Sequence, residues 1–416
     1  MQRSDANLLC KIIPLILFCI SSTLINAWIP ITGKTWLLLL VGCLICIGVT
    51  PKYFSSSQFI WCAFYLIIIL INYSFGDGYF NKLPKIVNEI GAMVMMTAIT
   101  YLVFSKKQDE LAKNILVLFA IAMIITAIGT LVSDIAHPGV VRKLAEAQHK
   151  ELDEAKYLST FFRLGMSDYI LPHGLPIMVP VLVYILKNKS LQLDRIWKIL
   201  VLVLLLSSTV IVWLSGSTAV LLLYIMFLFI ALMTKVSYSS RRARPVILLV
   251  LLILPLIISK DLQIGILNVL LDITSDNEST SKFASHLSDL QNSLLYNDVE
   301  GAVNSRMMRY EETFSGLSGN VIWGTDSEIG GHAALLDRFA TLGIIGIIPL
   351  IGFLFTHIKM VISVISRESR IFYIESVMIA LIMMSVKNMF NVEILLLFCT
   401  ITPLFLYIGR NNTKQI

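Results

Sequence analysis

Residues 304–350 read NSRMMRYEETFSGLSGNVIWGTDSEIGGHAALLDRFATLGIIGIIPL. The first part of this stretch is polar, titratable and rich in glycine, and after Arg338 the stretch becomes uniformly apolar. Such a change is typical of a chain that leaves a polar compartment and enters a bilayer. We interpret the Gly343-Ile-Ile-Gly346 pattern in the apolar part as a helix-packing pattern, not a phosphate-binding loop.

The whole chain is too apolar for a water-soluble protein. Of its 416 residues, 56% are hydrophobic and 14% are charged, and the mean hydropathy is +0.80. Soluble domains carry about 25% charged residues. We therefore expect an all-α polytopic membrane protein in which residues 1–416 form a single integral membrane domain. The net charge is +6, but the basic residues are scattered over many loops and form no contiguous stripe, which argues against a nucleic-acid partner.

Apolar runs of about 20 residues predict membrane-spanning helices, here about twelve. The predicted spans are 12–29, 35–50, 58–75, 88–104, 112–132, 168–186, 199–214, 216–234, 246–260, 339–357, 371–387 and 391–409. We interpret the first run as an uncleaved span, because no small-x-small cleavage pattern closes it.

Two connecting segments are long, and both fall on the same predicted side of the membrane. They cover residues 133–167 and 261–338, and each contains helical patterns. Most of the 33 Lys and Arg residues fall in the opposite set of loops, which predicts cytoplasmic N- and C-termini. A functional surface is therefore expected on the outer side.

Arg163, in the stretch FFRLGMSDYILPHG, lies at the mouth of the sixth predicted span. Its planar guanidinium suits phosphate oxygens near the outer leaflet. The alternative is an interfacial arginine whose charge simply reaches water. His173, in the first turns of the same span, fits a packing or capping role better than a catalytic one.

The second long segment supplies the other candidates. Arg306 and Arg309 are one helical turn apart, and could together neutralise a diphosphate or pair with nearby carboxylates. His332 follows two glycines, which favour close approach of the backbone to a ligand. Asp337 follows five residues later, and an interfacial ion pair is the alternative for Asp337 and Arg338.

Other kinds of chemistry find little support in the sequence. There is no nucleotide-binding motif and no convincing metal-ligand spacing, so we expect neither a cofactor nor a protein-bound metal. The six cysteines lie in or beside apolar runs and are interpreted as packing residues. No carboxylate lies near Pro180 or Pro255 in the sequence, which counts against an ion-coupled transporter.

Four short stretches are similar to motifs of a known family. They are FFRLGMSDYILPHG, WLSGSTAVLLLYI, NSRMMRYEETF with NVIWGTDS, and GGHAALLDRFATLGIIG. Together with about twelve spans and two long loops, they resemble the bacterial O-antigen and capsule repeat-unit polymerases (Wzy type) and the related O-antigen ligases. Thr218 stands where ligases often carry an arginine, and this departure favours a polymerase, as does the match at Asp337.

The resemblance implies a C-type glycosyltransferase fold in the bacterial inner membrane. The donor would be an undecaprenyl-diphosphate-linked oligosaccharide, used at the periplasmic face, and a chain-length regulator and a flippase would be candidate partners beside the bilayer. By position, Arg163 and Arg306 would bind the diphosphate, and His332 or Asp337 would activate the acceptor hydroxyl. Arg309 has no clear match and is an additional candidate for diphosphate binding.

Two other functions remain open at the level of sequence. An O-antigen ligase would use the same donor but transfer the glycan to lipid A core. A polysaccharide transporter or flippase is a more distant alternative, because a flippase should line its interior with charges from many spans. In this chain the charges lie mostly in loops.

Overall fold

The structure is a computed structural model, and the part of the chain that it describes is almost entirely helical. It describes residues 3–28, 34–75, 79–150, 152–189, 191, 193–234, 236, 267–269, 271–272, 284–285, 287–288, 291, 313, 315, 320–325, 334–386 and 390–411. No β-strand occurs among these residues.

The α-helices are numbered here in chain order. They are α1 (Arg3–Ser21), α2 (Thr23–Trp28), α3 (Lys34–Val49), α4 (Ser57–Phe75), α5 (Tyr79–Lys106), α6 (Asp109–Ala136), α7 (Val140–Lys150), α8 (Leu152–Ser159), α9 (Leu171–Gly174), α10 (Val179–Lys187), α11 (Arg195–Leu214), α12 (Thr218–Met233), α13 (Ala334–Val364), α14 (Arg370–Val386), α15 (Val392–Leu396) and α16 (Thr402–Asn411). Every predicted span coincides with helix except 246–260, which lies outside the described residues.

Several of these helices are suited to a bilayer. Five described segments are long and apolar enough to cross a membrane: Val87–Lys106, Asp109–Ala136, Arg195–Leu214, Ala334–Val364 and Val392–Gly409. Further described apolar helices are shorter: Cys10–Ser21, Leu37–Cys46, Ser57–Asn72, Leu171–Lys187 and Val220–Met233. Large apolar side chains such as Leu44, Phe64, Ile128 and Phe355 are more than half exposed, and lipid would cover them. The chain is therefore a helical membrane protein.

Hydrogen bonds between helices show which helix ends lie together. Asn114, near the start of α6, donates to the carbonyl of Cys10 in α1 at 3.0 Å. The Tyr407 hydroxyl of α16 donates to Asp109, the first residue of α6, at 2.7 Å. Lys106 ends α5 directly before this point. These helix ends form what we call the Lys106 end of the bundle.

The loop between α8 and α9 lies at the opposite end, which we call the Asp168 end. The Thr23 hydroxyl at the start of α2 donates to the carbonyl of Gly165 at 3.2 Å. The backbone N–H of Ser167 donates to the hydroxyl of Thr130, near the end of α6, at 2.9 Å. The loop is therefore bonded to two helices at this end.

Two glutamates lie at the Asp168 end at about the same depth. Helices α5 and α16 both run toward the Lys106 end, and the Thr400 hydroxyl donates to the carbonyl of Met96 at 3.0 Å. Glu89 precedes Met96, and Glu393 precedes Thr400, by about two helical turns each. Both carboxyl groups therefore lie toward the Asp168 end.

The predicted span 168–186 is broken, not one continuous helix. A 3₁₀ turn at Leu175–Met178 separates the single turn of α9 from α10. Pro172, Pro176 and Pro180 recur every four residues, and each lacks the N–H that an α-helix needs. The facing chain is irregular too, with a π-helical turn at Leu397–Ile401 between α15 and α16.

Helix α13 breaks at Gly343, where the helix-packing interpretation of the sequence is wrong. Gly343 has φ 61° and ψ −166°, a backbone conformation that is essentially restricted to glycine. Its neighbour is the backbone of residues 320–325, which we call the strap. A Cβ atom on Gly343 would lie 2.2 Å from the carbonyl oxygen of Ile322.

The strap replaces hydrogen bonds that the break removes from α13. The N–H groups of Ile344 and Ile345 donate to strap carbonyls at 3.0 and 3.2 Å, and the carbonyl of Ala340 accepts from a strap N–H at 3.0 Å. The carbonyl of Thr341 accepts from the side-chain amide of Asn72 in α4 at 3.0 Å. All four backbone groups are thus paired, as an apolar environment requires.

We predict that Gly343→Ala destabilises the protein. The alanine would occupy a backbone conformation costing about 1–3 kcal/mol and would collide with the strap. Thermal unfolding of the detergent-solubilised protein measures the effect. Gly91→Ala is the matched control, because the nearest atom to its new Cβ would be 3.5 Å away. Equal melting temperatures for the two variants would contradict the prediction.

Candidate functional site

The loop that carries Arg163 lies directly on α6 because Gly129 has no side chain. A Cβ atom on Gly129 would lie 2.3 Å from the carbonyl oxygen of Leu164 and 2.6 Å from the carbonyl carbon of Gly165. Gly165 itself has φ 86° and ends the 3₁₀ turn Thr160–Leu164. This turn, and the close contact with α6, fix where the loop leaves the bundle.

Arg163 lies exposed at the Asp168 end of the bundle. Its carbonyl accepts a hydrogen bond from the indole N–H of Trp28 at 3.1 Å, and its guanidinium lies 6.0 Å from the centre of the indole ring. Within the described part of the chain, no carboxylate pairs with this guanidinium. The indole holds the side chain by a cation–π contact, while the positive charge stays uncompensated and accessible.

A cavity of about 280 Å³ opens beside Arg163. Its walls come from α1, α2, the loop between α8 and α9, and α15. The lining residues are Ile20, Ser21, Thr23, Asn26, Ala27, Phe162, Asp168, Leu171 and Glu393. Arg163 and Trp28 do not line the cavity, but each directly follows a lining residue in the chain, Phe162 and Ala27, so both lie next to it. We call this position the rim of the cavity.

Two carboxyl groups from distant parts of the chain, Asp168 and Glu393, meet in the cavity. Asp168 Oδ1 accepts hydrogen bonds from the backbone N–H groups of Leu171 at 2.8 Å and Ile170 at 3.2 Å, which caps the start of α9. Glu393 lies in the first turn of α15, close enough to repel Asp168 electrostatically. Burial raises the pKa of the Asp168 carboxyl above its usual value, although the two N–H groups partly offset this.

Further polar side chains, from α7, α9 and the start of α12, pack around the part of the loop next to Asp168. Arg142 of α7 donates to the Tyr169 hydroxyl at 2.6 Å and lies over the same ring. His173 is buried, with Nδ1 2.7 Å from the carbonyl of Tyr169 and Nε2 3.5 Å from the Ser217 hydroxyl. These contacts fit the packing role expected for His173, and they hold the residues next to Asp168 in place.

A buried ion pair connects α5 and α13. Arg338 and Glu89 form a salt bridge, with side chains 10% and 5% exposed, and the Tyr65 hydroxyl donates to Glu89 at 3.0 Å. Asp337 is buried next to this pair, in the first turn of α13. It is not among the residues that line the cavity.

The sequence candidates therefore reach different places in the structure. Arg163 and Asp337 both lie toward the Asp168 end, but only Arg163 borders the cavity. Arg306, Arg309 and His332 lie outside the described residues. Across the described ranges, His, Cys, Asp and Glu side chains nowhere gather in the threes or more that a metal site needs.

Asp168 and Glu393 were not selected from the sequence, although each carried a signal. Glu393 is an acidic residue inside the predicted span 391–409, and charged groups within spans are costly and often functional. Asp168 is the first residue of the predicted span 168–186, which contains Pro180. Glu393 lies more than 200 residues from Asp168 in the chain, so no local sequence pattern predicts that the two carboxyl groups line one cavity.

We predict that Gly129→Ala displaces the loop and lowers the activity proposed below by about tenfold or more. Its new Cβ would meet backbone atoms, which cannot rotate away as a side chain can, and small misplacements of catalytic groups cost up to about 100-fold. Turnover and thermal stability should be measured together. Gly48→Ala is the matched helical control, since no atom lies within 4 Å of its new Cβ. A Gly129→Ala variant as active as this control would refute the prediction.

Breaking the Glu89–Arg338 ion pair should destabilise the protein. Arg338→Met leaves the Glu89 carboxylate buried without its cation, which costs about 3 kcal/mol. Adding Glu89→Gln removes that charge, so the double variant should be more stable than Arg338→Met alone. Chemical unfolding of the wild type, both single variants and the double variant measures the coupling. Additive effects would show that the pair is not energetically coupled.

No protein-family model matches the chain, and no curated protein matches it significantly. What the protein does has to be inferred from the chemistry of the cavity and its rim. The relevant features are an uncompensated arginine, two neighbouring carboxyl groups and a position at one end of a membrane-embedded bundle.

Proposed function

We propose that the protein polymerises undecaprenyl-diphosphate-linked oligosaccharide repeat units into O-antigen or capsular polysaccharide. The observation that carries the proposal is the exposed Arg163 guanidinium at the rim of a cavity that holds two carboxyl groups at the Asp168 end. A lipid diphosphate places its charge where the bilayer ends. A guanidinium held there by an aromatic ring can bind the phosphate oxygens with paired hydrogen bonds.

The distribution of basic residues supports an outward-facing cavity. The Lys106 end carries many of the lysines in the described helices and turns, including Lys106, Lys107 and Lys113, and both α1 and α16 have their chain-terminal ends there. Positive charge favours the cytoplasmic side of an inner membrane. The proposal therefore includes cytoplasmic termini, about twelve spans, two long periplasmic loops and a C-type glycosyltransferase fold.

In the proposed reaction, Arg163 and Arg306 bind the donor diphosphate, with Arg309 as an additional candidate. A hydroxyl of the acceptor glycan attacks C1 of the donor sugar, and the C1–O bond to the diphosphate breaks. The arginines stabilise the negative charge that grows on the leaving diphosphate. His332 is the sequence candidate for accepting the acceptor's proton. Asp337 is a less direct candidate, because it is buried beside the Glu89–Arg338 pair.

An O-antigen ligase would use the same donor and the same arginine chemistry. Deletion phenotypes distinguish the two. Cells without a polymerase still attach one repeat unit to lipopolysaccharide, whereas cells without a ligase attach none.

One structural feature favours the transporter alternative. The broken helix α9–α10 packs against the start of the π-helical turn after α15, where Gly174 lies beside Leu397. Asp168 and Glu393 lie a few residues before these two irregular segments in the chain. Broken helices beside carboxyl groups are typical of ion-coupled transporters. Liposomes separate the two functions, because a transporter moves lipid-linked glycan between leaflets without lengthening it.

We predict that Arg163→Ala lowers kcat/KM for the lipid-linked donor by about 10- to 100-fold. Hydrogen bonds to charged groups contribute about 1.5–3 kcal/mol, which corresponds to this range. Arg163→Lys keeps the charge but not the paired hydrogen bonds, so its kcat/KM should lie between those of the wild type and Arg163→Ala. The measurement is polymer formation in liposomes supplied with lipid-linked repeat units.

Arg195→Ala is the matched control for this experiment. Arg195 is also an exposed arginine, but it starts α11 at the other end of the bundle. If Arg163→Ala kept the activity of Arg195→Ala, the proposed role of Arg163 would be lost.

A further inference from the structure

The cavity beside Arg163 is chemically different from its rim. Asp168 and Glu393 place two acidic groups inside it, whereas the positive charge of Arg163 lies outside. A diphosphate in the cavity would meet two carboxyl groups of like charge. The phosphate groups of a lipid-linked sugar therefore fit the rim at Arg163, and a sugar ring fits the cavity.

The hydrogen-bonding groups of the cavity favour a ligand that donates. The Thr23 hydroxyl already donates to the carbonyl of Gly165, and the Ser21 hydroxyl to that of Phe18. Asp168 uses Oδ1 to cap α9, and its Oδ2 has no hydrogen-bond partner among the described residues. Acceptors are therefore in excess, and the hydroxyl groups of a sugar supply the matching donors.

The volume of the cavity agrees with one sugar ring. Ligand pockets for drug-sized molecules measure about 300–1,000 Å³, and this cavity measures about 280 Å³. Phe162 is half-buried in its wall and offers an aromatic surface to the C–H groups of a ring. The residue after Phe162 is Arg163, so a bound sugar would lie next to the proposed diphosphate site.

We infer that this cavity binds the terminal sugar of the acceptor glycan, and that the Asp168–Glu393 pair, in place of His332 or Asp337, takes the proton of the attacking hydroxyl. This inference rests on the proposed polymerase function and names the acceptor side of its site. The hydroxyl oxygen forms a bond to C1 of the donor sugar as the C1–O bond to the diphosphate breaks. The diphosphate leaves with the bonding electron pair, the proton moves to the carboxylate of the pair, and water later removes it.

Proximity and environment suit the pair to this step. Two neighbouring carboxyl groups cannot both ionise without repulsion, so the pair releases its last proton at higher pH than a single exposed carboxyl. Burial also raises the pKa of Asp168, which brings a proton acceptor closer to a working pH near neutrality. The charged groups that interact with the loop include Glu393 from α15 and Arg142 from α7, which bonds to the Tyr169 hydroxyl, and the loop itself carries Arg163.

The test compares carboxyl variants with the arginine variant in the same liposome assay. Its substrate is lipid-linked repeat units isolated from cells that lack this protein. Asp168→Asn/Glu393→Gln should lower kcat by about 100-fold or more, the usual contribution of a general base, with the donor KM changed less than threefold. Arg163→Ala should raise the donor KM as well as lower kcat, because Arg163 is proposed to bind the diphosphate before and during the reaction. Glu375→Gln is the control, because Glu375 is also buried but bonds to Thr234 outside the cavity.

The pH dependence of kcat separates proton transfer from a structural role. The pair must be ionised to accept a proton, so wild-type activity falls as the pH falls through its raised pKa. Glu393→Gln removes one of the two carboxyl groups and with it their mutual repulsion, so the acidic limb should move to lower pH. A variant that is merely misfolded would lose activity without moving this limb.

The outcomes distinguish failure of the inference from failure of the proposed function. If wild-type protein releases no undecaprenyl diphosphate and forms no polymer, the proposed function fails. If wild-type protein is active and the double variant keeps its kcat, the inference fails and the polymerase proposal stands. A double variant that loses donor binding instead of kcat would assign the cavity to the donor and overturn the inference.

Discussion

The close contact between Gly129 of α6 and the backbone of Leu164 and Gly165 is the constraint on which the site depends. It puts the loop within reach of Thr23 and Thr130, whose hydroxyl groups bond to its backbone. With the loop fixed, Arg163 points out of the bundle and Asp168 into the cavity. Opposite charges thus lie a few residues apart, yet face different surroundings.

This separation of charges gives the site its chemistry. Had Arg163 paired with Asp168, each would have neutralised the other, and neither a phosphate nor a hydroxyl would find a suitable partner. Instead, the guanidinium lies over Trp28, and the carboxyl groups share the cavity with hydroxyl, amide and aromatic groups. Between the two residues lies Gly165, whose left-handed backbone conformation ends the 3₁₀ turn that carries Arg163.

Much of the helical framework could be predicted, because the free energy of placing apolar side chains in lipid depends on composition along the chain. The details of the site could not. Three prolines reveal that residues 171–187 are interrupted, but not that Glu393 packs opposite the interruption. The strap has no hydrophobic period, and only Gly324 and Gly343 hint at a backbone crossing. Hydrogen bonds between backbone segments far apart in sequence leave no local pattern, so the sequence does not predict the break at Gly343.

Arg163 and Asp337 also show what the sequence does not predict. Their residue types and positions suggested one shared site, but sequence distance from a span does not determine which cavity a side chain enters. Arg163 reaches the rim because Gly165 turns the chain there. Asp337 is drawn into the bundle with its neighbour Arg338, whose partner Glu89 belongs to α5.

The strap determines where the chain can be divided when segments are exchanged between proteins. Residues 320–325 belong by sequence to the long segment before α13, but their backbone completes the hydrogen bonds of α13 itself. A chimera that exchanged this segment up to the start of α13 would remove part of a membrane helix along with a loop. The interchangeable module ends before Asn320, and the strap has to travel with the helix that it completes.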